Sequence, residues 1–240
     1  MVCLSLLPTL VASVFLYGLG APLLVLVCVA TALVTEHVCC RLMNRESTAG
    51  DLSCVVTAML FAFTLPANCG YFPAILGTVF AIAVVKMLFG GIGCNFANPA
   101  VAARVFIMLA MPIALGAYPD IMGRPLDAIT GATPLAMNAA GDAPYSYMDM
   151  MFGLHAGALG ETCIITLLAG YVFLLVMRVV DAWATVPFIA TVAVITALVR
   201  LFAAAPEGVA FSILFMNMFT PLIDRYTRPQ PAGGVKHALV

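Results

Sequence analysis

The chain is 240 residues long, 64% apolar and only 9% charged, with a formal net charge of −1. An average soluble domain carries roughly 25% charged residues, so a water-facing surface on a protein of this size could not be covered by so few. Lipid must solvate much of the surface, and the near-neutral balance gives no reason to expect nucleic acid or acidic partners.

The first charge is Glu36, and an uncharged run of that length exceeds the roughly 20 residues of a single span. Gly18, Gly20 and Pro22 interrupt it, which predicts two helices joined by a tight turn. Met1 stands almost directly on the apolar run with no basic n-region, so a cleaved signal peptide is not expected. After a polar loop at 35–51, the interval from Asp51 to Lys86 repeats the pattern, broken at Pro66–Pro73. Apolar runs follow at about 100–117, 162–177, 183–203 and 208–223. The expectation is an all-α polytopic membrane protein, one membrane domain over 1–240, with about eight transmembrane helices.

The basic residues orient it. With the 35–51 loop cytoplasmic, strict alternation puts Arg41, Arg45, Lys86, Arg104, Arg178, Arg225, Arg228 and Lys236 on or near the cytoplasmic side, and only Arg124 and Arg200 opposite. This is the positive-inside asymmetry. It predicts cytoplasmic N- and C-termini and an external long loop at 118–160, which also holds Asp120, Asp127, Asp142 and Asp149.

That loop contains Asp127-Ala128-Ile129-Thr130-Gly131-Ala132-Thr133, followed by Pro134. Gly131 and Ala132 leave little bulk before the Thr133 hydroxyl, and Pro134 holds Thr133 in extended conformations. The Asp127 carboxylate can coordinate a metal or position an incoming phosphate group, and a secondary hydroxyl presented this way suits phosphoester formation. A bare Thr-Gly-Ala-Thr would read as a simple turn; the whole pattern on an external loop is more specific. A second motif, Gly90-Gly91-Ile92-Gly93-Cys94-Asn95-Phe96-Ala97-Asn98-Pro99-Ala100, lacks the strand and the later acid of a dinucleotide fingerprint. It reads equally as a broken-helix site, where backbone N–H groups and the Asn95 and Asn98 amides meet a cofactor or ion, or as a tight cytoplasmic turn.

Gly160-Glu161-Thr162 opens the sixth run; Glu161 suits a helix N-terminus better than an ion path. Pro206-Glu207-Gly208, Asn217 and the ending Thr220–Pro229 are distinctive as a signature but weak as chemistry. The eight cysteines form no C-x-x-C pair and read as small buried hydrophobes. His37, His155 and His237 are scattered, and no metal site or catalytic residue is expected. Trp183 and Tyr226 read as interfacial anchors.

Together these motifs resemble the family of D-type subunits of Rnf-type ion-translocating ferredoxin–NAD oxidoreductase complexes. That family is related to the B-type subunits of the sodium-translocating NADH–quinone oxidoreductase. The resemblance runs from about residue 5 to 234 and includes Asp51-Leu52-Ser53, Leu65-Pro66, Gly90–Ala100, Asp127–Leu135, Gly160–Thr162 and Pro206–Pro229. It implies covalent FMN, joined to Thr133 by a phosphoester and installed by a flavin transferase, with Asp127, Thr130, Gly131 and Ala132 around it. Further implications are a non-covalent riboflavin among the helices and partner subunits of types A, B, C, E and G. They also include residence in the cytoplasmic (inner) membrane of a bacterium or archaeon. The family pattern has Gly where this chain has Ala128. The family has about ten spans, and two spans' worth is absent here, near 188–201. The function implied is a subunit of a redox-driven ion translocase, not active alone, that relays electrons between ferredoxin and NAD coupled to Na⁺ or H⁺ transport. The competing readings are a quinone-reductase subunit, a permease without a redox cofactor, and a scaffold that docks other chains.

Overall fold

The computed structural model describes residues 1–45, 49–91, 93–95, 97–115, 146–155, 157–160, 163–180, 182–203 and 209–217. Every regular element among them is helical. In chain order these are α1 (Val2–Tyr17), α2 (Gly20–Leu42), a 3₁₀ turn (Ala49–Asp51), α3 (Ser53–Phe63) and α4 (Tyr71–Val79), which runs directly into a π-helical segment (Phe80–Met87). Then come α5 (Pro99–Ala110), α6 (Pro112–Leu115), α7 (Tyr147–Phe152), α8 (Ile164–Val176), α9 (Ala182–Ala203) and α10 (209–217).

Each of the eight predicted apolar runs contains helix where it is described, and the run at 100–117 is broken at Met111 between α5 and α6. The glycine break falls where the sequence places it: Gly18 closes α1 at φ 71 and donates its N–H to Val14 O. A positive φ of this kind is open chiefly to glycine. α2 is long and apolar enough to cross a membrane by length and composition; α9 has 22 residues, and α1, α3, α5 and α8 have 16, 11, 12 and 13. α3 has 11 residues, about 16 Å at 1.5 Å per residue, roughly half of a hydrocarbon core about 30 Å thick. The run after Asp51 therefore begins as a half-length helix rather than a span. The expected loop at 35–51 also begins later, because α2 continues to Leu42 and carries Glu36 as a fully buried residue.

On α1 polarity is inverted relative to a helix of a water-soluble bundle. The buried face of α1 is Ser5, Thr9 and Ser13, four residues apart, whereas Leu4, Val11 and Phe15 are exposed. The Ser5 and Ser13 hydroxyls donate to Val2 O and Leu10 O, one turn back. Small residues inward and large apolar ones outward let helix backbones approach closely where the surrounding solvent is lipid. α1 lies along α8 in this way: a Cβ on Gly170 would come 2.5 Å from Ser5 O.

α2 is the central strut, packed against α1, α3, α4 and the π-helical segment. Gly77 in α4 admits the Phe61 ring and Ile107, since a Cβ there would lie 2.2 Å from Phe61 Cζ. The π-helical segment is held to α5 by stacking of Phe80 on Phe106, with ring centroids 4.2 Å apart and planes 9° apart. Cys28, Cys40, Cys54 and Cys69 are buried, as their apolar contexts predict, whereas Cys3, Cys39 and Cys163 are half-buried and Cys94 is exposed; every described cysteine is a free thiol.

Candidate functional site

Helix ends inside a bundle leave carbonyls that water cannot reach. α3 ends in such a place, and three groups distant in sequence satisfy it. Gly160 N donates to Phe63 O at 2.8 Å and Leu159 N to Leu65 O at 3.0 Å. The Arg104 guanidinium donates to Thr64 O. Arg104, Leu65 and Leu159 are all buried, and a cation beside a helix C-terminus also meets the negative end of its dipole. Gly160 is required sterically, because a Cβ there would lie 2.6 Å from Phe63 Cβ. Just upstream, Gly157 O accepts from the Tyr17 hydroxyl at 3.0 Å. The broken helix is thus joined end-on to the stretch that precedes α8.

The other end of α3 carries a charge cluster. Lys86 Nζ lies 2.9 and 3.0 Å from the two Glu36 carboxylate oxygens and 2.6 Å from Ser53 Oγ. Lys86 is 2% exposed and Glu36 0%. Ser53 is linked in turn to Asp51: its N–H donates to Asp51 Oδ1 at 2.8 Å, and its hydroxyl also bonds that carboxylate. Asp51 lies at the exposed end of this line. Its slight burial raises the carboxyl pKa, but the Ser53 hydrogen bonds and the Lys86 charge outweigh that, holding it below the usual aspartate value.

The Gly90–Ala100 stretch returns the chain from the π-helical segment to α5. Gly90, Gly91 and Gly93 all have positive φ, at 116, 104 and 81°, a conformation open chiefly to glycine. Gly91 N donates to Lys86 O at 3.0 Å. The Asn95 amide nitrogen faces Gly91 O, Val85 O and Lys86 O at 3.0, 3.1 and 3.3 Å when oriented by its neighbours. Asn98 accepts from Ala100 N at 3.0 Å, with Pro99 at the first helical position, a standard N-cap. Both amides therefore act as capping groups of the turn, and a flavin or ion contact there would have to replace these bonds.

Of the sequence-predicted site residues, only Asn95 and Asn98 are described, and they sit at opposite ends of one turn. Asp127, Thr130, Gly131, Ala132 and Thr133 lie outside the described residues, as do Glu161, Thr162, Glu207 and 218–229. The expected 118–160 loop includes α7 and ends in the buried stretch Gly157–Gly160. Sequence reasoning missed two groups that matter. In sequence Glu36 and Lys86 mark the ends of loops, and Arg104 counts as a cytoplasmic charge; the structure buries all three. Lys86 and Arg104 therefore leave the count of loop charges. Lone ionisable residues within apolar runs are the signal that could have found them.

Comparison with known proteins gives the family. The profile of the NQR2, RnfD, RnfE family matches residues 1–199 and, in a second segment, 191–233. The chain is 33% identical to the D-type subunit of the Na(+)-translocating ferredoxin:NAD(+) oxidoreductase complex of Acetobacterium woodii, covering 98% of this chain and 90% of that protein. It is 28% identical to the D-type subunit of the proton-translocating ferredoxin:NAD(+) oxidoreductase complex of Clostridium ljungdahlii, over 97% and 90%. It is 27% identical to the D-type subunit of the ion-translocating oxidoreductase complex of Shewanella amazonensis, over 97% and 92%. The first alignment runs over 288 residues against a chain of 240, so about 50 positions have no counterpart here. The two profile segments meet at 191–199, within α9, close to where the sequence places the absent family helices. By this profile and these relatives, the chain belongs to the NQR2, RnfD, RnfE family.

Proposed function

We propose that the chain is a membrane subunit of an ion-translocating redox complex of the Rnf type, in which it carries FMN as a phosphoester of Thr133. The Asp127–Thr133 pattern, with Ala128 where the family has Gly, in a member of this family carries the reading. The names of its relatives support the electron-transfer partners ferredoxin and NAD. Those relatives divide between sodium and proton transport, so the translocated ion stays open between Na⁺ and H⁺. The flavin loop faces outward, the complex resides in the cytoplasmic membrane, and a flavin transferase loads Thr133 during maturation. Flavin supplies one- and two-electron chemistry when attached. The chain's own contribution there is a hydroxyl with small neighbours on one side and proline on the other. A second, non-covalent riboflavin and the partner subunits of types A, B, C, E and G complete the proposal. The ending Pro221–Pro229 favours this branch over the quinone-reductase branch.

The test is in-gel flavin fluorescence of the denatured chain after coexpression with a flavin transferase. Wild type is expected to fluoresce and Thr133→Ala to be dark. A dark wild-type band would overturn the flavin reading, and a bright Thr133→Ala band would overturn the attachment residue.

A further inference from the structure

α9 stands apart from the rest of the bundle. Among the described residues it is packed closely against none of α1–α8, and it meets α10 through a hydrogen bond from Thr196 Oγ1 to Ser212 Oγ at 3.0 Å. Between the two helices lies an open cleft of about 470 Å³. Its wall on α9 runs from Phe188 and Ile189 to Thr196 and Ala197, with Val209 and Ile213 opposite. Residues three and four apart share a helix face, so the cleft is a trough along the helix axis, about 14 Å long at 1.5 Å per residue.

Chemistry, size and position together identify what fills it. Thr196 is the one polar side chain among the lining residues, and its hydroxyl is satisfied by Ser212. Thr191, exposed on the same helix, donates to Pro187 O at 2.8 Å. Neither hydroxyl calls for a polar ligand. Apolar cavities stay dry, and an empty one leaves its lining atoms without dispersion contacts. A packed helix is too large to enter: at 10–12 Å across, 14 Å of it occupies about 1,100–1,600 Å³, more than twice the trough. An extended hydrocarbon chain is slender enough. Position gives the source. The two family-profile segments meet at 191–199, in the wall of the trough, and only residues 204–208 join α9 to α10, too few for a further pair of helices. This flank of α9 therefore faces the lipid that solvates the molecule.

We propose that the trough between α9 and α10 is a binding site for one acyl chain of a membrane phospholipid. Small Ala193 and Ala197 leave the room that the chain occupies, and its methylenes pack against Phe188, Val192 and Ile213. Lipid tails are as apolar as the side chains they meet, so van der Waals packing, not exclusion of water, distinguishes this seat from ordinary lipid contact. The exposed faces of α1, where Leu4, Val11 and Phe15 project outward, offer contact with lipid but lie outside this trough.

The test is photolabelling of the full chain in its native membranes, after fusion with vesicles of phosphatidylcholine bearing a diazirine on one acyl chain. Light expels dinitrogen, the carbene inserts into a neighbouring bond, and mass spectrometry maps the adducts. Labelling at Val192–Ala197 is expected to exceed that at Leu4, Val11 and Phe15 several-fold. Labelling no greater than on α1 would reduce the trough to ordinary lipid contact and overturn the proposal. Absence of labelling there would show a partner helix or a second copy over the trough, and would overturn it too. Ala193→Phe fills the trough and should lower its labelling several-fold while α1 labelling stays unchanged; an undiminished yield would also overturn the proposal. The wild-type comparison between the two faces stands without any variant. No readout involves flavin or ion transport, so failure here leaves the proposed function standing, and a dark gel band leaves this inference standing.

Discussion

Arg104, in the middle of α5, donates its guanidinium to the carbonyl of Thr64, the residue that closes α3. A half-length helix can end inside the bundle because this cation, with the Leu159 and Gly160 amides, takes up its last carbonyls. Replacing Arg104 with Met keeps much of the side-chain volume but leaves the part-buried Thr64 carbonyl without this donor. A hydrogen bond to a charged group is worth about 2 kcal/mol, so Arg104→Met is expected to lower stability by about that amount. Thermal or denaturant unfolding in detergent micelles checks this.

The same junction depends on the absence of a side chain at Gly160. A Cβ there meets both the Cβ of Phe63 at 2.6 Å and its carbonyl oxygen at 3.2 Å, and neither can retreat freely. Overpacking of this kind costs about 1–3 kcal/mol. Gly160→Ala should therefore destabilise, whereas Gly50→Ala, with nothing within 4 Å, should be neutral. The pair of melting temperatures separates steric conflict from a general intolerance of substitution.

Glu36 and Lys86 should show strong energetic coupling. Removing one partner leaves a buried unpaired charge, at a cost of about 3–5 kcal/mol. Glu36→Gln is expected to fall in that range, and Glu36→Gln combined with Lys86→Met to recover most of the loss. A double-mutant cycle measures the coupling; additive single effects would show that the two side chains do not depend on each other.

Asp51 should give the fold a modest acid-side dependence. Its pKa is depressed in the folded chain, so the stability it contributes is fully present above the unfolded aspartate value. That contribution is lost as pH falls through the lower folded value. The residue is exposed, which keeps the effect small. Unfolding followed on the acid side of the ordinary aspartate range should show a shallower slope for Asp51→Asn than for wild type. Ser53→Ala should flatten the same slope by removing the hydroxyl bond.

The class of solvent, the positions of the helical runs, the glycine break at Gly18 and the family are all legible in the order of residues. Each follows from local quantities: a nearly charge-free composition, run length against bilayer thickness, and residues whose backbone preferences act over a few positions. The Asn-Pro pair at 98–99 also carries a local capping signal, which the reading of Asn98 as a cofactor or ion contact passed over. The end of α3 just before Pro66 is legible too, whereas that Glu36 belongs to a helix rather than a loop emerges only from the packed bundle. So does the interior placement of Lys86 and Arg104. Those outcomes rest on contacts between residues 33 to 50 positions apart. A charged residue in an apolar run looks the same in sequence whether it ends a span or is buried, and its partner across the bundle decides which.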